Sequence, residues 1–401
     1  MSLSLRIRAT VVLGLFTCLA VTATQELVAQ GLPQWTPPRS GNTGTPADDV
    51  TDSVLDDRGL IVLPNPNPMM ITDWQKLPPG RSWGAGPAGG FAPDGNYWQL
   101  DRCGSDSYAG CLDNPVDYLL KFDINTGELL ESFGAGDVVL PHGIHVDSVG
   151  YIWVADMAAS PDSTRGLQVL KYSEQGEILM RLGTAGKRGT GPDHFENPQI
   201  VKTAPNGDIF ITEGECGCPE NPGRIKKYSP DGTFIKEIGR HGNAPGEFKN
   251  PHSIAFDDQG RLFVADRSNH RIQIFDQDLN YISSYYSHGR TSALYIENGL
   301  LYTTDSTSQW ASHPGWLPGV RIGPVDEDRV TGFVPPHGHP TRPLGVSGGG
   351  IAVRDGTIYL QEGPGARQGL RGTGLGEGGT VIYHTEDVSF PGLEGRVYRP
   401  R

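Results

Sequence analysis

Short apolar runs separated by Gly, Pro and Asp turns recur along most of the chain, and their spacing has the period of strands rather than helices. A turn glycine followed six residues later by an acid occurs six times: Gly95 to Asp101, Gly150 to Asp156, Gly207 to Glu213, Gly260 to Asp266, Gly299 to Asp305 and Gly356 to Glu362. The residues between are β-branched, aliphatic or aromatic, with an aromatic at the third position each time: Trp98, Trp153, Phe210, Phe263, Tyr302 and Tyr359. That is strand chemistry.

Further runs follow each acid, among them Leu167–Tyr172, Arg224–Tyr228 and Arg271–Phe275, and turns such as Pro230-Asp231-Gly232 lead into another. Four antiparallel strands joined by tight turns make one propeller blade, and six units make an all-β, six-bladed β-propeller. The later blades are fainter; Val320–Ile322 and Thr380–Tyr383 are their third-strand candidates. Leu60–Leu63 is the candidate for a strand that joins the last blade and closes the ring.

Composition sharpens this picture. Fifty-five Gly and 32 Pro in 401 residues, scattered among apolar runs, indicate many turns rather than disorder. A net charge of −13 argues against nucleic acid or anionic lipid as a partner. At the N-terminus, Arg6 and Arg8 precede the apolar run Val11–Val21, with small residues at Ala23 and Ala29 for cleavage. The organisation expected is a signal peptide over 1–29, a Pro/Gly-rich linker over 30–58 and the propeller over 59–401. The mature chain is expected to be a secreted or periplasmic monomer without a membrane span. Four cysteines outlast the signal: Cys103, Cys111, Cys216 and Cys218. In an oxidising compartment they are read as disulfide-forming. Cys103–Cys111 closes a short loop; Cys216 and Cys218 are too close to pair comfortably, leaving a cross-link between the loops or a Cys-x-Cys metal site as alternatives.

Candidate chemistry follows from the register. The innermost strand of each blade lines a central channel, so residues at its start converge. His142, in Pro141-His142-Gly143, and His252, in Pro251-His252-Ser253, hold equivalent positions, while the third unit has Gln199 there. Two neutral imidazoles suit zinc, and a third ligand is wanted; His145, His288, His313, His337 and His339 are candidates. The six acids read as strand-end devices that satisfy backbone amides. Arg102 and Arg267, each directly after its acid, suit a carboxylate-bearing ligand.

These residues resemble the NHL-repeat propellers, and among them the peptidyl-α-hydroxyglycine α-amidating lyases. The resemblance runs from about Phe91 to Phe275 and more faintly to Glu362. It is carried by Leu140-Pro141-His142-Gly143, Pro251-His252-Ser253, Val264-Ala265-Asp266-Arg267-Ser268-Asn269 and Asp101-Arg102. It implies cleavage of a C-terminal α-hydroxyglycine to a peptide amide and glyoxylate. It further implies a zinc ion held by His142 and His252, Arg102 and Arg267 facing a substrate with a C-terminal carboxylate, and a structural calcium in the channel. Two positions depart from the family: its third zinc histidine falls at Gly348 or Gly349, and its active-site tyrosine at Glu215, which becomes a candidate base or ligand. The reading from another class is a non-catalytic propeller that binds a peptide or carbohydrate. A calcium-dependent lactonase has the same blade count, but its channel carboxylate set is not evident.

Overall fold

The computed structural model describes residues 63–84, 88–104, 110–215, 220, 223–305, 317–335, 349–362, 379–391, 393 and 397–398. All of them lie in the compact unit Pro46–Arg401. The expected signal peptide and linker, together with Cys216, Cys218, His313, His337 and His339, fall outside the described residues.

Strand β1 (Met69–Ile71) opens the described chain but belongs to its last blade. The first blade is β2 (Ala88–Phe91), β3 (Tyr97–Leu100), β4 (Leu119–Phe122) and β5 (Leu129–Phe133), with one helical turn, α1 (Gly110–Asp113), between β3 and β4. The second is β6 (Pro141–Val146), β7 (Ile152–Ala159), β8 (Gly166–Tyr172) and β9 (Ile178–Leu182). The third is β10 (Pro198–Thr203), β11 (Ile209–Glu213), β12 (Arg224–Tyr228) and β13 (Phe234–Ile238). The fourth is β14 (Pro251–Phe256), β15 (Leu262–Asp266), β16 (Arg271–Phe275) and β17 (Tyr281–Tyr285). The fifth is β18 (Thr291–Glu297), β19 (Leu300–Asp305), β20 (Gly319–Pro324) and β21 (Gly332–Val334). The sixth is β22 (Gly350–Arg354), β23 (Thr357–Glu362), β24 (Gly379–His384), then β1, with β25 (Val397–Tyr398) at its rim.

The six sheets form a six-bladed β-propeller, and its core lies between blades. Trp98 packs with Ile144 and Val154 of the second blade, Trp153 with Val201 and Ile209 of the third, and Phe210 with Ile254 and Val264 of the fourth. Phe263 meets Leu294, Tyr302 meets Ile351 and Val353, and Tyr359 stacks on Tyr97 of the first blade. The repeated aromatic is thus the wedge that each blade drives into its neighbour. Each buried ring removes a large apolar surface from water, about 150–250 Å².

Ring closure corrects one expectation. Met69–Ile71 pairs antiparallel with His384, Tyr383 and Ile382; the sequence candidate Leu60–Leu63 does not supply the strand. Met70 and Ile71 are fully buried, on opposite faces of the sixth blade, in the two clusters that flank it. Leu63 lies outside any strand, and 60–62 fall outside the described residues.

The repeated acids are fully buried strand-end anchors. Asp156 accepts the amides of Val139 (2.9 Å) and Leu140 (2.7 Å). Glu213 accepts the Glu196 amide and the Arg224 guanidinium; Asp266 accepts the Lys249 amide and the Arg271 guanidinium. Asp305 takes Arg321 at 2.9 Å. Each carboxylate ties the entry of its blade's inner strand, or the strand beyond, to the end of the second strand. The Glu362 side chain falls outside the described residues.

Candidate metal centre

The inner strands β6, β10, β14 and β18 share an irregularity at their second residue. Pro141, Pro198, Pro251 and Thr291 pair with Asp156, Glu213, Asp266 and Asp305, and the register then shifts by one before pairing resumes. The extra residues are His142, Gln199, His252 and Ser292. A β-bulge turns its residue out of the ladder and re-aims the side chain, and here it sends both imidazoles towards the channel axis. Their ring centroids are 5.0 Å apart, edge to face.

Each histidine is oriented by the bulge of the next blade. His142 Nδ1 lies 3.0 Å from the Gln199 carbonyl oxygen, and His252 Nδ1 lies 2.6 Å from that of Ser292. A carbonyl can only accept, so Nδ1 carries the proton in both rings and Nε2 is left with a lone pair. This is the arrangement in which imidazole binds a metal, one nitrogen fixed to an acceptor and the other free to ligate. Gly143 permits the close approach, since a Cβ there would sit 2.3 Å from the Gln199 oxygen.

Glu215, two residues beyond β11, completes the cluster. One ligand atom each from His142, Glu215 and His252 lies within 4.8 Å of the others. Glu215 Oε2 is 3.7 Å from His252 Nε2, and Oε1 is 3.1 Å from Arg267 Nη2. Oε2 is buried without a hydrogen-bond partner among the described residues. A carboxylate oxygen beside two imidazole lone pairs, with no hydrogen-bond donor among the described residues, is an arrangement that could hold a cation. Two histidines and a glutamate are a zinc donor set.

The electrostatics agree. Burial, with Arg102 next in effect, lowers the His142 pKa to about 4. Burial and Arg267 hold His252 well below the usual histidine range. Both rings are therefore neutral at neutral pH, as ligation requires. Burial pushes the Glu215 carboxyl up, but His252, Arg267 and His142 together outweigh it and bring the pKa down to about 2. With both imidazoles neutral, the lasting contribution comes from the Arg267 guanidinium. Arg267 thus keeps the carboxylate ionised, as an anionic ligand must be.

The remaining expected residues divide. Arg102 is buried, and its Nε donates to the Pro141 carbonyl at 3.1 Å, which fixes the entry of β6 beside His142. Arg267 reaches the centre but gives one N–H to Glu215, and its Nε is buried with no acceptor among the described residues. His145 bonds Thr203 Oγ1 and His288 bonds Thr303 Oγ1, so neither joins the cluster. Gly349 lines the same channel as His142 and His252, and among the described residues the sixth blade brings no imidazole there. Cys103 and Cys111 form a disulfide. The backbone carbonyls of Gln199 and Ser292, which accept from the two rings, were not expected from the sequence; the Pro-x-x and Thr-x-x spacing before the turn glycines was the available signal.

With this geometry in view, the comparisons with known proteins are specific. The family model for the NHL repeat matches residues 248–275, the segment that runs through His252 and Arg267. The chain is a six-bladed β-propeller carrying an NHL repeat. This NHL propeller is 31% identical over 254 residues to peptidyl-glycine alpha-amidating monooxygenase B of Xenopus laevis, covering 60% of this chain and 27% of that protein. It is 34% identical over 157 residues to a probable peptidyl-alpha-hydroxyglycine alpha-amidating lyase of Caenorhabditis elegans, covering 38% of this chain and 41% of that one. NHL repeat-containing protein 3 of Homo sapiens is 39% identical over 143 residues, covering 34% and 40%. The match thus spans about a quarter to two-fifths of these relatives' length. A gluconolactonase from Xanthomonas campestris superposes with a TM-score of 0.50 over 78% of this chain and 89% of that one, at 13% identity, which speaks to the fold alone. No helix among the described residues is long and apolar enough to cross a membrane.

Proposed function

We propose that this NHL propeller is a metal-dependent carbon–nitrogen lyase of the amidating type, acting on peptides that end in α-hydroxyglycine. The observation that carries the reading is the His142–Glu215–His252 cluster, whose two imidazoles are held with Nε2 free beside a bare carboxylate oxygen. The names of the amidating relatives supply the substrate class.

In this reading His142, His252 and Glu215 hold a zinc ion, which when bound supplies a Lewis acid for the substrate's hydroxyl oxygen. The bulge carbonyls of Gln199 and Ser292 keep both rings in the tautomer that ligates. Arg267 holds Glu215 ionised and offers its remaining N–H groups to the substrate carboxylate. Arg102 secures the strand that carries His142. Cleavage moves the hydroxyl proton to the amide nitrogen and breaks the carbon–nitrogen bond, releasing a peptide amide and glyoxylate. The charged, then apolar, N-terminus and the Cys103–Cys111 disulfide support an exported protein, secreted or periplasmic. A calcium ion in the channel finds less support, because Glu215 is the one carboxylate that the described residues bring there, and calcium takes about six to eight oxygen ligands.

The test is glyoxylate release from a synthetic peptide ending in α-hydroxyglycine, by the zinc-loaded chain and by a His142→Ala, His252→Ala variant. Release that the variant loses supports the lyase. A chain that binds one zinc yet releases no glyoxylate is instead a binding propeller, the reading favoured by glycine in place of a third histidine at position 349.

A further inference from the structure

The channel that carries the two histidines also carries Lys202. It lies on β10, three residues beyond Gln199. Val201 packs into the core between the second and third blades and Ile200 against that between the third and fourth, and Ile200 and Lys202 both reach the channel lining. No carboxylate pairs with Lys202, and no hydrogen bond ties its ammonium, among the described residues. The other lysines of the inner blade sheets behave differently: Lys121 contacts Asp94 and Glu174, Lys226 contacts Glu213 and Glu237, and Lys227 contacts Asp208. Lys171 lies over the Tyr151 ring and Lys236 donates to the Asp278 carbonyl, so among the described strand lysines Lys202 alone has neither a carboxylate, a carbonyl nor a ring as partner.

We propose that Lys202 forms an anion subsite in the channel that takes a small monocarboxylate. Lys202 is half-buried, so its ammonium gives up part of its hydration without a counter-ion, and a carboxylate offsets that cost through a charge-assisted hydrogen bond. Of the residues that line it with Lys202, His142 and His252 are neutral, Ser253 and Gln199 are uncharged and the rest are apolar or glycine; the charged groups Glu215 and Arg267 pair with each other at the metal centre. Only a small ligand suits this place, because the inner strands of all six blades converge on it. The oxo acid released by the proposed lyase has that size and charge; this identity, though not the subsite, rests on the reading above.

Burial alone lowers the Lys202 pKa, to about 8. Its charge in turn helps to keep the neighbouring His145 neutral. The other titratable or charged groups facing this part of the channel are His142, His252, Glu215, Arg102 and Arg267. The histidines have pKa values held low, and Glu215 lies near 2, so above neutral pH Lys202 is the group whose charge changes.

The experiment is a titration of carbon-13-labelled formate, followed by line broadening, on the full chain with and without zinc. Glyoxylate serves as the competitor. The wild-type chain should broaden the formate signal and lose that effect as pH rises through about 8. Lys202→Met should weaken binding about tenfold or more, the scale of one charge-assisted hydrogen bond, while Lys202→Arg retains it. The zinc-free wild-type chain should bind formate as the zinc-loaded chain does, which separates this subsite from the metal centre and from any failure of lyase activity. Formate binding unchanged in Lys202→Met, with native circular dichroism, overturns the proposal. So does binding that only the zinc-loaded chain shows and that Lys202→Met leaves unchanged.

Discussion

Glu215 Oε2 lies 3.7 Å from His252 Nε2, and no hydrogen-bond donor among the described residues reaches that oxygen. The glutamate comes from the connection after β11 in the third blade and the histidine from the bulge of β14 in the fourth. Their meeting, with His142 from the second blade, gives the channel three convergent ligand atoms although the sixth blade presents glycine.

The first expectation concerns that meeting. Glu215→Gln keeps the shape and removes the anion, so zinc affinity should fall at least about tenfold. Competition with a chromophoric chelator measures this. Affinity equal to wild type would remove Glu215 from the ligand set. The loss of the Arg267 counter-ion should cost little fold stability by comparison, because that pair is partly exposed.

A second expectation concerns Gly143. A methyl group there would press on the Gln199 oxygen at 2.3 Å and on the Ile200 backbone at 2.9 Å, neither of which can swing aside. Gly143→Ala should destabilise the chain by about 1–3 kcal/mol and should also weaken metal binding, because the same shift lengthens the His142–Gln199 bond. Urea unfolding and chelator competition on one preparation test both. Loss of stability with unaltered zinc affinity would show that the bulge carbonyl does not orient the ring.

The strand-end acids should behave in the opposite way. Asp266→Ala would strand the buried Arg271 guanidinium and the Lys249 amide, a loss of about 3–5 kcal/mol. Such a change should appear in the unfolding midpoint. Any chain that does fold should still bind zinc, because Asp266 touches none of the three ligands. Full stability in this variant would contradict the anchoring role assigned to the repeated acids.

Much of this was legible without coordinates. The six Gly-to-acid intervals define the second strand of every blade, and the aromatic at each third position, Trp98 through Tyr359, fills an interface between blades. Both are local consequences of period-two alternation repeated along the chain. The equivalence of His142 and His252 was readable for the same reason, since a repeat carries its register with it. The closing strand was misplaced by several residues: Leu60–Leu63 is the more apolar run, but Met69–Ile71 is the one that reaches β24. A three-residue strand leaves too short a pattern to outrank its neighbours, and what selects it is the gap it fills.

The sequence by itself determined the number of blades, the wedge residues between them, the strand-end acids and the pair of inward histidines, because each follows from local alternation copied at a regular interval. Only the tertiary structure decided that Glu215 stands beside those histidines, that Arg267 pairs with Glu215, that the bulge carbonyls of Gln199 and Ser292 set both tautomers, and that Lys202 lines the channel without a carboxylate. These are contacts between different blades, between residues roughly 40 to 70 positions apart or more. They depend on how closely two strands approach around a closed ring, and no periodicity along one strand encodes that distance.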